Sequence, residues 1–467
     1  MTPARTAASA GDLGQQPRVP TLVADDPGFA GLAGVARRDI TPPLSVPVRS
    51  WGPATDDYAN GVHRPMTLTA AAFASADGKP FVLLAADLGW FKNPEDEARV
   101  RGGVLDAVGG DKSRVLVNLS HTHAGPSGSL VDGSEPETEY LNAVRDAATA
   151  AARDAIDAMV PATLSCAIGR CRLAANRDLP QGDRYVVGFN PANDADDTVV
   201  VGRIADLGGR LLGVLVNYAC HPTTLAWQNR LVSPDYVGTA REVVETATGA
   251  PCLFLQGASG ELGPRHQYIG DSRVPDRHGR SLGHAAVSAL ETMPPPGSRL
   301  EFRGVVESGA ALGMWEPMPY APPAAAAATT VQVELPLRRM ATIEELQEQW
   351  ADINPVSLEE RLRRARRVRA YYAARDPYPF TIWLWRLGDC AFVGVPGEPY
   401  SWLQLELRRR HPELAVFVLG VTNAEMSAYL PRDDCYDHEL YQAWQTPYAR
   451  GCLESVVEAA DAALSKL

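Results

Sequence analysis

The sequence predicts a mixed α/β (α+β) fold in which layered β-sheets are flanked by helices. Several apolar runs are nearly continuous, at residues 80–86, 114–119, 211–217 and 251–255. Such runs are typical of strands that are covered on both faces. Helical patterns alternate with these runs, which favours sheets and helices packed in layers. The chain of 467 residues is long enough to form one large catalytic unit.

Residues 1–25 are rich in alanine, glycine, proline and glutamine and show no periodicity, so we predict a disordered tail followed by a single domain at 26–467. The first two thirds of that domain alternate strands with helices. The predicted strands are 66–73, 80–86, 114–119, 198–204, 211–217 and 251–255. The predicted helices are 137–159, 234–248, with Ser233 as its N-cap, and 279–293.

The last third begins with residues 316–328, a proline- and alanine-rich stretch that we interpret as an exposed excursion. Two charged helices at 342–353 and 357–374 follow, then strands and a closing helix. The strands are predicted at 380–387, 390–396 and 415–421. The second charged helix carries an arginine cluster that we interpret as a solvated face, formed by Arg361, Arg363, Arg364, Arg366, Arg367 and Arg369.

Bulk composition excludes several classes of protein. A net charge of -12 disfavours a nucleic-acid partner. The apolar runs are shorter than the roughly 20 residues that a membrane span needs, and the N-terminal residues lack the apolar core of a secretory signal. These features predict a cytoplasmic protein without stable membrane association. The seven cysteines are sparse and lie mostly in apolar runs, so we expect buried, reduced thiols.

Histidines and a glutamate follow three of the predicted strands and suggest a metal site. His121 and His123 follow the strand at 114–119, His221 follows 211–217, and Glu398 follows 390–396. Two imidazoles and one carboxylate form the ligand set of a catalytic zinc, which keeps a position open for water. The same set also accepts iron, cobalt or manganese, and a His-x-His pair by itself also fits hydrogen-bonded histidines.

Five segments together resemble the successive motifs of the neutral/alkaline non-lysosomal ceramidases. The segments are 119–126 (LSHTHAGP), 220–224 (CHPTT) with 229–235 (NRLVSPD), 256–264 (QGASGELGP), 396–398 (PGE) and 423–441. The resemblance implies a ceramidase-like catalytic domain with one Zn²⁺ held by His121, His221, Glu398 and Tyr429. It also implies that His123, Arg177 and Tyr441 help to hold the substrate carbonyl.

Two departures from the family pattern affect the expected reaction. The family carries a serine just before the proline of the glycine-rich motif, where this chain has Gly263, and Ser259 does not stand in a Gly-x-Ser-x-Gly elbow. We therefore expect no serine acyl-enzyme. The sequence also ends soon after the tyrosine segment, so we expect no C-terminal β-sandwich domain and consider a long-chain ceramide a poor substrate.

These observations predict a zinc-dependent amidohydrolase that acts on a small soluble N-acyl compound through a metal-activated water. Arg177 could instead anchor a substrate carboxylate. An ester or lactone hydrolase, an acyl-condensing cyclase and a non-catalytic binding protein remain as alternatives. We expect Trp51, Trp90 and Trp227 near the pocket, and loops 42–62 and 308–330 to shape it. The sequence does not indicate an oligomeric state.

Overall fold

The structure is a computed structural model that describes residues 26–76, 78–91, 93–126 and 135–467, so the predicted tail at 1–25 lies outside the described residues. The strands in chain order are β1 (Gly28–Asp39), β2 (Gly61–Val62), β3 (Thr67–Ala74), β4 (Phe81–Ala86), β5 (Val115–Leu119), β6 (Val160–Arg170), β7 (Ala174–Asn176), β8 (Asp178–Gln181), β9 (Arg184–Val187), β10 (Thr198–Asp206), β11 (Leu211–Tyr218), β12 (Leu231–Val232), β13 (Cys252–Gln256), β14 (Leu262–Pro264), β15 (Ser298–Glu307), β16 (Ala311–Pro319), β17 (Ala326–Leu335), β18 (Tyr378–Leu387), β19 (Cys390–Gly394), β20 (Glu398–Pro399), β21 (Ala415–Leu419) and β22 (Tyr429–Leu430). The α-helices are α1 (Pro94–Ala107), α2 (Glu135–Asp157), α3 (Tyr236–Thr248), α4 (Arg273–Glu291), α5 (Ile343–Gln349), α6 (Pro355–Tyr372), α7 (Trp402–Arg410), α8 (Tyr441–Gln445) and α9 (Cys452–Leu464).

Two sheets form the middle of the fold. One has eight strands in the order β13-β11-β10-β6-β1-β3-β4-β5, and the other has four in the order β17-β18-β19-β21. Their facing sides share one buried cluster that includes Leu215, Leu253, Trp385 and Phe417. Helices α1 to α4 cover the outer face of the large sheet, and α7 and α9 cover that of the small one. This layered arrangement confirms the predicted fold class.

The period of two along a strand explains why the apolar runs are nearly continuous. In β3, Ala71 and Phe73 point into the core between the two sheets, whereas Ala70 and Ala72 point toward the helices. Because successive side chains alternate between faces, a strand with a core on each side needs apolar residues at every position. The sequence pattern therefore identified the central strands well.

Polar side chains join the two edges of the large sheet. Strands β5 and β13 stand at opposite ends of its strand order. Asn118 in β5 nevertheless accepts a hydrogen bond from the backbone N–H of Gln256 in β13 (2.8 Å), and it donates one to the carbonyl of Gly420 after β21 (2.7 Å). The carboxyl ends of three strands therefore converge, and the segments that follow them meet in space.

The predicted N-cap of α3 is wrong. Asp235, not Ser233, caps this helix, because the Asp235 side chain accepts from the backbone N–H of Tyr236 (2.7 Å). Ser233 lies outside the helix, where its hydroxyl oxygen accepts from the backbone N–H of Asp235 (2.9 Å). The serine therefore supports the capping residue and does not cap the helix itself.

Residues 316–328 are mostly exposed, as the interpretation of an exposed excursion expects, but part of this stretch forms strands. Residues 316–319 belong to β16, which pairs with β15 in an exposed hairpin, and 326–328 begin β17. The sequence analysis also missed β1, β6, α1 and α7. Strand β1 is rich in glycine and alanine, which have low strand propensity, and its state is set by pairing with β3 and β6 on either side.

Two expectations about bulk properties were tested by the described residues. Within them, no helix combines the length and apolar character that crossing a membrane requires. All seven cysteines are free and buried, as expected.

Candidate metal centre

The segments after the converging strands carry the predicted histidines in an unusual backbone conformation. His121 follows β5 and has a φ of 66°, and its backbone N–H donates to the carbonyl of Leu88 (2.9 Å). Tyr268, Val421 and Asn423 in neighbouring segments also have positive φ angles. This conformation is costly for a β-branched residue such as Val421. Strained backbone of this kind is frequent at functional sites, where the surrounding structure maintains it.

The centre of the site is a contact of Glu398 with two histidines. The Oε2 atom of Glu398 lies 3.0 Å from Nε2 of His221 and 3.3 Å from Nε2 of His121. The Nδ1 atom of His121 lies 2.9 Å from the carbonyl oxygen of Gly89, and Nδ1 of His221 lies 2.7 Å from that of Ser259. A carbonyl oxygen can only accept, so both Nδ1 atoms carry the proton. Both Nε2 atoms therefore present lone pairs to the carboxylate.

Three acceptor atoms that face one another at short range fit a cation between them. Ligand atoms of a tetrahedral site with bonds of about 2.0–2.2 Å lie roughly 3.3–3.6 Å apart, close to the spacing seen here. Histidines that bind metals commonly donate their other N–H to a backbone carbonyl, as both do. The residues present therefore fit a metal ion, and zinc is among the metals that this donor set suits.

Electrostatics favour the ligand-competent forms of these side chains. Burial lowers the pKa of His221 to about 3, so its imidazole is neutral at pH 7. The pKa of Glu398 is held well below its ordinary value although burial raises it, so the carboxylate is ionised at pH 7. A neutral imidazole and an ionised carboxylate are the forms that bind metals.

His123 lies beside this centre. Ligand nitrogens of His121, His123 and His221 all lie within 4.8 Å of one another. The buried Nε2 of His123 has no hydrogen-bond partner among the described residues. Burial, followed by the neighbouring His121 and His221, holds the pKa of His123 well below its usual range. His123 is therefore a neutral imidazole with a free nitrogen at the edge of the metal centre.

Tyr429 and Arg177 adjoin the same centre. Parallel pairing of β20 with β22 places Tyr429 opposite Glu398. The Nη2 atom of Arg177 donates to the hydroxyl of Tyr429 (3.2 Å) and to the carbonyl of Gly260 (2.7 Å), and it lies 3.2 Å from Nε2 of His221. Burial raises the pKa of Tyr429 well above its usual value. Arg177 thus connects the tyrosine, the histidine and the glycine-rich loop.

Tyr441 reaches the site through Tyr429, because the two ring centroids are 5.7 Å apart. Its hydroxyl accepts a hydrogen bond from Nη1 of Arg364 (2.8 Å), a residue of α6. The interpretation of the α6 arginines as a solvated face is therefore wrong for Arg364. Arg361 is exposed, as that interpretation expects, although its guanidinium also lies over the rings of Trp350 and Trp444. These partners are distant in sequence, so helical spacing did not reveal them.

A small pocket that is partly open to solvent adjoins His123. Its walls come from residues 48–58 and 226–231 together with the two residues 123–124, so the loop at 42–62 contributes as expected, whereas the loop at 308–330 does not line it. Trp51 and Trp227 line the pocket, and Trp90 packs against His121 and His123 at centroid distances of 5.6 and 5.0 Å. Much of the lining is polar, including Arg49, Asp56, Asn229 and Arg230.

The glycine-rich loop borders the site without offering an activated serine. A Cβ atom built at Gly263 would lie 2.9 Å from Oε1 of Gln267 and 3.5 Å from Cδ of Arg177, so this position faces the site. Ser259 accepts from Nε2 of Gln256 (2.7 Å) and lies 3.3 Å from the protonated Nδ1 of His221. That nitrogen cannot remove the serine proton. Glu261 accepts from the backbone N–H of Ser401 (2.9 Å).

The structure adds site residues that the sequence analysis missed. Arg364 and Gln445 are joined by a hydrogen bond of 2.7 Å beside Tyr441. Tyr268 packs against Trp51 at a centroid distance of 5.6 Å. The one signal within the sequence was the separation of four residues between Tyr441 and Gln445, which places both on one face of a helical turn.

The fold and the site together define a layered α/β protein with a candidate metal centre at the converging strand ends. Comparisons with known proteins show which family the chain resembles. Residues 32–253, just under half of the chain, match the N-terminal domain of the neutral/alkaline non-lysosomal ceramidases. Over these residues the chain is similar to this ceramidase family.

Individual relatives show the same similarity. The neutral ceramidase of Pseudomonas aeruginosa is 26% identical over 252 residues, an alignment that spans 50% of this chain and 36% of that protein. A crystal structure of that neutral ceramidase matches with a TM-score of 0.67 at 19% identity and covers 95% of this chain and 75% of the other. A structure described as ceramidase complexed with C2 also gives 0.67, at 18% identity, with 95% and 76% covered. The described residues contain no separate β-sandwich domain.

Proposed function

We propose that this protein is a zinc-dependent hydrolase that cleaves the amide bond of a small, soluble N-acyl compound, with water as the nucleophile. One zinc ion per chain would be held by His121, His221, Glu398 and Tyr429. The observation that carries the proposal is the contact of two imidazole lone pairs with one carboxylate oxygen at 3.0 and 3.3 Å. The relationship to ceramidases supports amide cleavage.

When bound, such an ion supplies Lewis acidity, which polarises a carbonyl and makes water a nucleophile near neutral pH. In this proposal His123 handles the proton. Because its pKa is held well below the usual range by burial, His123 is neutral at pH 7 and can accept a proton at its free Nε2. The same low pKa favours release of that proton to the leaving nitrogen.

Tyr441 and Arg177 would stabilise the negative charge that develops on the substrate oxygen. The Tyr441 hydroxyl accepts from Arg364, so its own proton is free to be donated to the substrate. Arg177 contributes positive charge beside Tyr429 and His221 and orients both of them. Donors already in place before the reaction are effective because they need no reorganisation.

A reaction without a serine nucleophile is part of the proposal. Gly263 has no side chain at the position where the family carries its serine. A Cβ atom built there would lie 3.5 Å from Cδ of Arg177. Ser259 is buried and is bound by Gln256. Both observations support direct attack by water.

The proposal also covers the class of substrate, the absence of a nucleic-acid partner, the extent of the catalytic unit and the location of the protein. The polar lining of the pocket supports a small soluble substrate, and the net charge of -12 supports the absence of a nucleic-acid partner. We further propose that residues 26–467 act as one catalytic unit, which the shared core between the two sheets supports. A cytoplasmic location without stable membrane association stays a prediction from the sequence.

The first test is elemental metal analysis of the wild type and three variants with folding matched by circular dichroism. We expect about one zinc per chain in the wild type and its loss in His121→Ala and Glu398→Ala. His411→Ala is the control, because His411 is also a buried histidine with a carboxylate partner, Asp461 at 2.9 Å, but belongs to the α7 region. Well-folded wild type that holds no metal and takes up none would contradict the proposal.

The second test is hydrolysis of matched N-acyl amides and the corresponding esters. Amide turnover that depends on zinc is expected, and Tyr441→Phe should lower kcat by about 10²–10³-fold because one oxyanion donor is removed. Turnover of the esters alone would mean that the protein cleaves ester bonds and not amide bonds. Zinc binding without turnover of either class would favour a non-catalytic protein.

A further inference from the structure

Arg364 lies beside Tyr441 and has hydrogen-bond donors that no described residue uses. Its Nη1 atom donates to the Tyr441 hydroxyl (2.8 Å) and to Oε1 of Gln445 (2.7 Å), which uses both hydrogens of that nitrogen. Among the described residues, Nε and Nη2 of Arg364 have no hydrogen-bond partner, and no carboxylate lies within ion-pair distance. An arginine presents these two nitrogens as a fork that matches the two oxygens of a carboxylate.

Gln445 supplies a third donor, its amide nitrogen. The contact with Arg364 shows which atom of the amide group is the nitrogen and which is the oxygen. Arg364 can only donate, so the atom of Gln445 that it contacts is the oxygen. The amide nitrogen, Nε2, is therefore the atom that is buried without a partner in the part of the chain that the structure describes. A buried donor without a partner is uncommon in proteins, and an absent ligand that accepts from it is one of the few explanations.

The surroundings carry excess positive charge. Arg367, one turn further along α6, is half-buried and has neither a hydrogen bond nor a carboxylate at ion-pair distance among the described residues. Burial, followed by the charges of Arg364 and Arg363, lowers the pKa of Arg367 to about 10. A buried charge without a partner is costly, and an anion placed between two arginines would offset that cost.

This charged region lies next to the metal centre. The Tyr441 ring, which Arg364 contacts, packs 5.7 Å from the Tyr429 ring. At its other end α6 meets the loop that lines the pocket, where a Cβ built at Gly52 would lie 2.7 Å from Oε2 of Glu360. Arg177 is closer to the metal centre, but its Nε and Nη2 already donate to the carbonyl of Gly260.

We propose that Arg364 and Gln445 form a subsite for a carboxylate of the substrate, with Arg367 contributing charge, so that the substrate is an N-acyl compound that also carries a carboxylate. Nε and Nη2 of Arg364 would bind the two carboxylate oxygens, and Nε2 of Gln445 would donate a third hydrogen bond. The assignment of the cleaved bond rests on the proposed function, whereas the anion subsite does not. This role, which the sequence analysis considered for Arg177, belongs to Arg364.

The test compares binding of N-acetylglycine with binding of its neutral isostere N-acetylglycinamide by calorimetry. Both are measured on the protein as purified and after dialysis against EDTA. We expect the wild type to bind the carboxylate about 10- to 100-fold more tightly than the amide in both preparations, as a charge-assisted, bidentate contact allows. Binding without metal separates the subsite from the proposed zinc chemistry.

Variants locate the subsite. Arg364→Gln should abolish the preference for the carboxylate, and Gln445→Glu should do so as well because its own carboxylate would pair with Arg364. Gln445→Glu keeps the side-chain shape, so it serves if Arg364→Gln fails to fold. Arg366→Gln is the matched control, since Arg366 is an exposed arginine of the same helix that pairs with Glu359 (3.1 Å).

Three results would overturn the proposal. The first is equal binding of the two probes by the wild type. The second is a preference for carboxylate that survives in both Arg364→Gln and Gln445→Glu, or that appears only with zinc bound, since the anion would then bind elsewhere. The third is tighter binding of inorganic phosphate than of N-acetylglycine at the same residues, which would mean that the subsite recognises a phosphate group and not a carboxylate.

Discussion

Removal of the charge of Glu398 should abolish most of the stabilisation that a metal ion gives to this protein. The substitution Glu398→Gln keeps the side-chain shape and retains an oxygen that can accept from Ser427, whose hydroxyl lies 2.8 Å from Oε1 of Glu398. It replaces the carboxylate that faces both histidines by a neutral amide. Opposite unit charges about 4 Å apart attract by about 4 kcal/mol at an effective dielectric constant of 20. A loss of 100-fold in metal affinity, about 2.7 kcal/mol, is therefore a conservative expectation.

The expected change in unfolding follows from linkage. At a free zinc concentration of about 100 times the wild-type Kd, the metal stabilises the wild type by about 2.7 kcal/mol and a variant with 100-fold weaker binding by about 0.4 kcal/mol. With about 2.1 cal/mol/K of unfolding entropy per residue, a chain of 467 residues changes its Tm by about 1 °C per kcal/mol. Zinc should thus raise the Tm by about 3 °C in the wild type and by less than about 1 °C in Glu398→Gln.

Differential scanning calorimetry with and without zinc measures these shifts, and isothermal titration gives the two affinities. Glu413→Gln is the matched control, because Glu413 also lies beside a histidine, with Oε1 3.6 Å from Nδ1 of His411, but is exposed and belongs to none of the metal motifs. An equal zinc-induced shift in the wild type and in Glu398→Gln would refute the assignment of Glu398 as a ligand.

Three further substitutions test the surroundings of the site. Asp87→Asn should lower the free energy of unfolding by about 3–5 kcal/mol in urea titrations, because it removes the charge that pairs with buried Arg241 at 2.6 and 2.7 Å. Burial raises the pKa of Asp178 to about 7, so the folded state binds more protons than the unfolded state between pH 4 and 7. The contribution of Asp178 to stability should fall by at most about 1.4 kcal/mol per pH unit as the pH rises through that interval, and Asp178→Asn should remove this contribution to the slope in urea titrations at each pH. Gly263→Ala should destabilise the fold by no more than about 1 kcal/mol in urea titrations, since the new Cβ meets the movable end of Gln267.

Each of these three expectations has a clear contrary result. Asp154→Asn removes an exposed partner of Arg38 and serves as the control for Asp87→Asn, so equal losses in the two variants would contradict a special contribution of the buried pair. An unchanged pH slope in Asp178→Asn would mean that another group titrates between pH 4 and 7. A loss above about 3 kcal/mol in Gly263→Ala would show that Gln267 is held rigidly.

The central strands and the candidate metal ligands could be selected from the sequence because their signals are local. Strands β4, β5 and β13 lie between two buried layers, so each appears as a largely apolar run of five or six residues. His121 and His221 follow such runs directly, and loops after strands are the usual position of functional side chains. Residue type and position relative to a strand were sufficient to select these candidates.

The pairing of β1 and the surroundings of the α6 arginines depend on residues that are distant in sequence. Strand β1 lacks a strong strand pattern and is held between β3 and β6. The arginines of α6 have the spacing of a solvated face, yet Arg364 binds Tyr441, 77 residues further along the chain. No local pattern distinguishes an arginine that meets water from one that meets a distant tyrosine.

The sequence by itself determined the layered α/β class, the family resemblance and the identities of His121, His221 and Glu398 as candidate ligands, because periodicity and motif order are properties of short segments. Only the tertiary structure decided that the two Nε2 lone pairs and the carboxylate meet, and that Arg364 and Gln445 stand beside Tyr441 with free donors. The reason is physical: hydrogen bonds and charges act over a few ångströms, and only folding brings residues from distant segments within that distance.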